Sequence, residues 1–217
     1  TVTYNGYERK VLYVASNAFR DCINVTSVVI GDNITDIYSK AFNGCSNLKR
    51  VSFGKSLYNV YYDSFYGCNA ITSVHYNCVY VDKVAICSSS VVEITFGDNV
   101  KSVSNFNGTG WYNEQPQGLL YLDNWLVGYK GDEPVGDIII AEGTTHINEY
   151  ALAYCKSITS VSIPESVEYI GDYFLRSCNG LISLKVAIDN PVFDSRENCN
   201  AIIETSTNTI IKACINS

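Results

Sequence analysis

Cys22, Cys45 and Cys68 stand 23 residues apart, and Cys155 and Cys178 keep the same step. Their neighbours move with them: Val14, Ile37 and Val60; Phe19, Phe42 and Phe65; Ile147 and Ile170. A step shared by several residue types leaves few folds open. Such a chain folds as copies of one supersecondary unit, each too small to bury its own apolar side chains. Stacking turns every slot into a ladder.

One unit reads Ile37, Ala41, Phe42, Cys45, Leu48, Val51, Phe53, Leu57, Val60. Ile147, Ala151, Leu152, Cys155, Ile158, Val161, Ile163, Val167 and Ile170 repeat it slot for slot. Two looser units complete the stack. Val91, Ile94, Phe96, Val100 and Val103 form one, with Ser88 at the cysteine position. Val135, Ile138, Ile140, Thr144 and Ile147 form the other, with Asp132 there. Ser88 and Asp132 are 44 residues apart, so the stack reads as continuous with a modified unit between.

Val-x-Phe and Val-x-Ile alternate with a period of two, which predicts a short strand with both apolar side chains inward. Ala-Phe before the cysteine predicts a helical or 3₁₀ turn. The second apolar pair, Leu57 and Val60, closes the coil on the opposite wall. Each phenylalanine buried in such a ladder contributes about 1.5–3 kcal/mol. Asn5-Gly6 marks a tight hairpin turn, with strands expected near Val2–Tyr4 and Arg9–Tyr13 to cap the first coil. Ala201–Thr205 and Thr209–Ala213 flank Ser206-Thr207-Asn208 and predict a second hairpin, over the far edge.

Ala151 to Ile170, with Ile163-Pro164-Glu165-Ser166-Val167 inside it, resembles the BspA-like leucine-rich-repeat family of bacterial surface proteins. Asn190-Pro191-Val192-Phe193-Asp194-Ser195-Arg196 and Cys199-Asn200-Ala201-Ile202-Ile203-Glu204-Thr205 resemble the tail of such proteins. The resemblance covers about residues 8–215. It implies an α/β-type, β-rich leucine-rich-repeat solenoid: a right-handed superhelix with a parallel sheet on its concave face and hairpin caps at both ends. It also implies an exported setting, extracellular or at the cell surface, and adhesion to host matrix proteins or other cells. It brings no catalytic residues. The expected organisation is one domain over 1–217, with a cap at 1–13, repeats at 14–103, an irregular insert and hairpin at 104–131, repeats at 132–188 and a cap at 189–217.

Composition narrows the partners. Hydrophobic residues make up 47% of the chain and charged ones 17%, enough for a core and too little charge for disorder. The net charge is −7, and the 15 Lys and Arg residues are scattered. Nucleic acid and anionic membrane need a basic stripe and are excluded as expected partners. No apolar run is long enough for a membrane helix. Thr1-Val2-Thr3-Tyr4 has neither the basic nor the apolar region of a signal peptide, so the chain reads as mature or trimmed.

Nine cysteines suggest disulfides until their spacing is considered. Ladder side chains on strands about 4.8 Å apart keep their Cβ atoms at that distance, whereas a disulfide wants about 3.8 Å. Free, buried thiols acting as small hydrophobes are expected. Cys78 and Cys87, in an irregular stretch, leave room for a pair. No close cysteine pair suits a metal, and the two histidines fall on different walls, so neither metal nor cofactor is expected.

His75 should point outward from Val74-His75-Tyr76, with Ser52 and Thr95 beside it and Glu93 one row away. That is the only visible constellation for nucleophilic catalysis; an exposed histidine in a polar row is the blander reading, and the chain is not expected to be an enzyme. The central outward row should be Val29, Ser52, His75, Thr95, Ile139, Ser162 and Lys185. The row before it should be Ser27, Arg50, Ser73, Glu93, Asp137, Ser160 and Ser183. These rows suit a hydrogen-bonding surface for an extended partner, and equally a solvated sheet. The sharper candidate is the loop from Asn105 to Pro116, where Trp111 and Tyr112 offer contact area on a rigid scaffold. Leu119–Leu122 and Trp125–Tyr129 read as a hairpin about Asp123-Asn124, with Trp125 packed inward. Tyr58, Tyr61, Tyr62 and Tyr66 crowd one stretch, so some of them must face solvent.

The ligand-binding candidates are therefore Trp111, Tyr112, Arg50, Ser52, His75 and Thr95. The function expected is an exported interaction module for a host or neighbouring-cell protein or glycan, monomeric and without membrane insertion. A carbohydrate-binding accessory surface and a purely structural spacer are the alternatives.

Overall fold

The computed structural model describes residues 2–4, 7–61, 63–81, 86, 88–103 and 106–214. They form two compact units, Thr1–Glu114 and Gln115–Ser217.

The first unit holds β1 (Val2–Tyr4), β2 (Tyr7–Arg9), β3 (Tyr13–Val14), β4 (Ser27–Val29), β5 (Asp36–Ile37), β6 (Arg50–Phe53), β7 (Asn59–Val60), β8 (Ser73–Tyr76), β9 (Glu93–Phe96) and the one-turn helix α1 (Gly110–Glu114). Strands β1 and β2 pair antiparallel. The second strand of this hairpin begins at Tyr7 rather than Arg9; the turn residues Asn5 and Gly6 lie outside the described residues. Beyond the hairpin, the first three coils each give one strand to each of two parallel sheets, and the next adds β9 to the longer sheet alone. The shorter sheet, β3-β5-β7, aligns Val14, Ile37 and Val60. The longer, β4-β6-β8-β9, aligns Val28, Val51, Val74 and Ile94. The 23-residue period is thus a parallel register: every slot pairs with its own kind one coil on.

The third wall is a series of turns, not the helix or 3₁₀ turn that Ala-Phe suggested. Asn17, Lys40 and Asp63 have positive φ, and four residues later so do Asp21, Gly44 and Gly67. A left-handed residue at every fourth position stops a helix from propagating. The freed N–H groups turn to the next coil instead. Asn17, Phe19 and Asp21 donate to the carbonyls of Ser39, Ala41 and Asn43, and Phe42 and Gly44 to those of Ser64 and Tyr66. Gly44 (φ 76°) is needed on two counts, because a Cβ there would also lie 2.2 Å from Asp21 Oδ1.

The core runs between the walls. Ile37, Ala41, Cys45, Leu48 and Val74 are fully buried. Phe19, Phe42 and Phe65 stack at 5.1 Å between centroids, with interplanar angles of 2° and 10°. Phe19 is nevertheless 44% exposed, against the expectation that the whole ladder is buried. The first coil has another coil on one side only. The cysteine slot has its own logic: Cys45 Sγ donates to Phe19 O (3.1 Å) and Cys68 Sγ to Phe42 O (3.0 Å), so each thiol ties its coil to the one before.

The second unit holds β10 (Gly118–Leu122), β11 (Trp125–Lys130), β12 (Gly136–Ile139), β13 (His146–Ile147), β14 (Ile158–Ile163), β15 (Tyr169–Ile170), β16 (Ser183–Val186), β17 (Phe193–Asp194), β18 (Ala201–Glu204) and β19 (Thr209–Ala213). The expected hairpin about Asp123-Asn124 is β10-β11, and β11 continues in parallel with β13 and β15. The longer sheet is β12-β14-β16. Val135 does not fill a core slot; it is 70% exposed. The register shifts between Gly136 and Asp137, and Gly136 takes the place opposite Ile158. The C-terminal hairpin β18-β19 forms as expected and pairs with β17. Buried Asn190 pins the last coil to this cap. Its Nδ2 donates to Pro164 O and Val167 O, both at 3.0 Å, and its Oδ1 accepts from the N–H of Val192 (2.9 Å) and Phe193 (2.7 Å). Cys22, Cys45, Cys68, Cys155, Cys178 and Cys199 are free thiols; Cys87, and with it a Cys78–Cys87 pair, lies outside the described residues.

Candidate functional site

The outward rows of the first unit form in the expected register. Ser27, Arg50, Ser73 and Glu93 align, and so do Val29, Ser52, His75 and Thr95. Alternation along each strand fixes this: Val51 and Phe53 face the core, so Arg50 and Ser52 face away. His75 Nδ1 lies 2.9 Å from Thr95 Oγ1. Its nearest hydrogen-bonding partner is thus a hydroxyl, not the carboxylate that orients the histidine of a Ser–His–Asp triad. Ser52 and His75 border a shallow depression of about 290 Å³ whose other walls include Asp32, Gly54 and Asn77. The sequence rows missed Asp32 and Asn77 because both follow the strands. Their signal is local: Asp32 Oδ1 accepts the N–H of Lys55, and Asn77 Oδ1 accepts Asn99 Nδ2, each a bond to the next coil.

In the second unit Asp137, Ser160 and Ser183 align, as do Ile139, Ser162 and Lys185. Asp137 Oδ1 accepts from Ser160 Oγ (2.7 Å) and Thr159 Oγ1 (3.0 Å), and these bonds hold its carboxyl below the usual carboxylate range. Ile139 stands 75% exposed in the middle of this face.

The insert behaves differently from its sequence reading. Trp111 is only 9% exposed and meets fully buried Phe106 edge-on at 6.1 Å. Phe106 in turn lies beside Phe96 and Tyr76, so the tryptophan ends an aromatic file that begins in the coils. The Trp111 N–H donates to Val91 O. Thr109 caps the helix: its Oγ1 donates to Phe106 O and accepts the N–H of Tyr112. Gly110 permits the approach, since a Cβ there would lie 2.7 Å from Ser89 O. Trp111 is therefore core, and Tyr112 beside it is half-buried. The sequence does contain the clue, Gly108-x-Gly110 before the tryptophan, which marks a close backbone approach.

The sequence matches the BspA type leucine rich repeat region in six copies, over residues 6–108 and 129–216. The chain belongs to this family. The interval between the matched stretches contains α1, all of β10 and β11 as far as Gly128. Among solved structures, this BspA-type chain is similar to a leucine-rich repeat protein from Bacteroides ovatus, with 18% identity over 86% of this chain and 61% of the other, and a TM-score of 0.37. A leucine rich cell surface protein from Faecalibacterium prausnitzii matches at 21% identity over 98% of this chain and 52% of the other, with a TM-score of 0.29. The leucine rich repeat protein of T. pallidum matches at 18% identity over 81% and 52%, with a TM-score of 0.30. The chain spans about half the length of these relatives. No curated protein is similar to it in sequence.

Elsewhere the BspA-type chain carries its tyrosines in files. Tyr38 stacks on Tyr61 at 5.1 Å and meets Tyr13 edge-on; Tyr66 is 71% exposed. In the second unit Tyr150 stacks on Tyr173 at 5.4 Å. His146 lies against Trp125 (4.3 Å, 17°), and burial pulls its pKa below the ordinary value. Among the described residues, no three His, Cys, Asp or Glu side chains come together as a metal would need, and no helix is long and apolar enough to cross a membrane.

Proposed function

We propose that this BspA-type chain is an exported cell-surface interaction module that binds a macromolecular partner, through adhesion to a host or neighbouring-cell protein. The observation that carries this reading is the outward face of β4-β6-β8-β9. Arg50, Ser52, Ser73, His75, Glu93 and Thr95 stand there in register, half-buried or exposed, around a shallow depression. Such a face offers donors, acceptors and both charges on a rigid frame, which suits an extended polypeptide better than a small molecule. With Trp111 inside the core, the sheet face takes precedence over the insert. The surface setting is supported by the family and by the Faecalibacterium relative, a cell surface protein by its own description. The reading is of a binding surface rather than a catalytic one.

The test is binding of the purified chain to a panel of matrix proteins and polysaccharides, with an Arg50→Glu, His75→Ala variant alongside. Saturable binding to a protein, lost in the variant, supports the reading. Binding to a polysaccharide instead moves the partner class to glycans, for which exposed Tyr66 and Tyr61 are the contact residues to alter. No binding to the whole panel makes the chain a spacer.

A further inference from the structure

On the turn wall of the second unit, Tyr150, Leu152 and Tyr154 donate their N–H groups to the carbonyls of Asp172, Phe174 and Arg176 in the next coil, at 3.4, 2.9 and 2.6 Å. One period later stand Tyr173, Leu175 and Ser177. Their N–H groups have no acceptor among the described residues. The C-terminal hairpin follows the last coil, yet it gives these donors no acceptor among the described residues. Leu175 is only 1% exposed, and a buried backbone N–H without a partner is rare and costly.

These residues line a groove of about 400 Å³, closed on its other side by Ile211 and Lys212 of β19. Lys212 makes no ion pair among the described residues. Arg176 also lines the groove, its guanidinium 5.4 Å from the Tyr173 ring centre and 6.0 Å from that of Tyr154. Asp172 is the one carboxylate in the lining, so cations exceed anions two to one.

We propose that this groove docks an extended acidic segment of a partner polypeptide, its backbone carbonyls accepting from Tyr173, Leu175 and Ser177 and its carboxylates facing Lys212 and Arg176. The donors recur at every second residue, and the same donors in the coil of Tyr150 show what satisfies that spacing: a polypeptide backbone. The charge of the walls selects acidic side chains. This surface shares no residue with the sheet face proposed above, and neither proposal depends on the other.

The test uses the full chain, labelled with nitrogen-15, and an acetylated, amidated Asp-Ala-Asp-Ala-Asp peptide as probe. Downfield shifts that saturate and centre on the Tyr173, Leu175 and Ser177 amides are expected. Lys212→Glu should weaken the peptide about tenfold, and Lys212→Gln by less; Arg50→Glu on the sheet face should leave it unchanged. The two Lys212 variants guard against misfolding, which thermal melts of each will report. A heparin oligosaccharide that shifts these amides where the peptide does not would overturn the proposal in favour of a simple anion site. Absence of any shift with either probe would also overturn it, leaving water as the acceptor.

Discussion

Cys68 and Cys155 occupy the same slot in different coils, and burial pushes both thiols up to about 11. A thiol so held is protonated, and so unreactive, at neutral pH. Iodoacetamide at pH 8 should leave both unmodified in the folded chain and label them on denaturation, as mass spectrometry of digests will show. The linkage has a definite sign. The folded form keeps these protons more tightly than the unfolded form does. Stability is therefore intact below pH 9 and falls progressively between pH 9 and pH 11, which alkaline melting curves will follow. His146 gives the opposite sign. Its folded pKa is lowered, by burial first and against the pull of Glu168. Stability is present above the ordinary histidine pKa and is lost as the pH falls below it. Because the ring lies flat on Trp125, tryptophan emission should change over the same acid range and stop doing so in His146→Phe. Asn190→Ala removes four hydrogen bonds and leaves buried groups unpaired. It should cost about 3 kcal/mol in a denaturant titration.

At the scale of the element, the strands were readable because a parallel ladder repeats its slots with the period of the coil. Val51 predicts Val74, and Ser52 predicts His75, once the period is known. The turn wall was not readable in the same way, since its left-handed positions hold Asn17, Lys40 and Asp63 in one unit but Tyr150 and Tyr173 in the other. Side-chain type there is set by solvent, and only the hydrogen bonds between coils reveal the geometry. Val135 falls outside the core because the register shifts by one residue between Gly136 and Asp137, opposite unpaired Thr159, which no spacing announces. The loop around Trp111 reads as a candidate contact surface because loops with turn formers usually lie outside the core. The space in front of Phe106 could not be foreseen from the repeat, and the tryptophan fills it. Trp111→Ala should therefore act on stability, at about 3–5 kcal/mol in chemical denaturation, and leave any binding by the sheet face unchanged.

For the molecule as a whole, the three kinds of bond between coils belong together: strand pairing, turn N–H to carbonyl, and thiol to carbonyl. Each joins a residue to its counterpart one coil away, or to a residue within three of that counterpart. Removing residues 45–67, so that Gly44 is followed by Cys68, takes out 23 residues and brings a cysteine to where a cysteine was. The shortened chain should fold cooperatively with a lower melting temperature, as circular dichroism will show. Removal of one residue more or fewer turns a strand's inward side chains outward and should abolish folding. In genetic terms the unit of change in such a chain is the whole period. Unequal recombination that adds or drops one period lengthens or shortens the outward face by one rung while every surviving neighbour stays in place. The length of that face can therefore vary without the coil itself being reinvented.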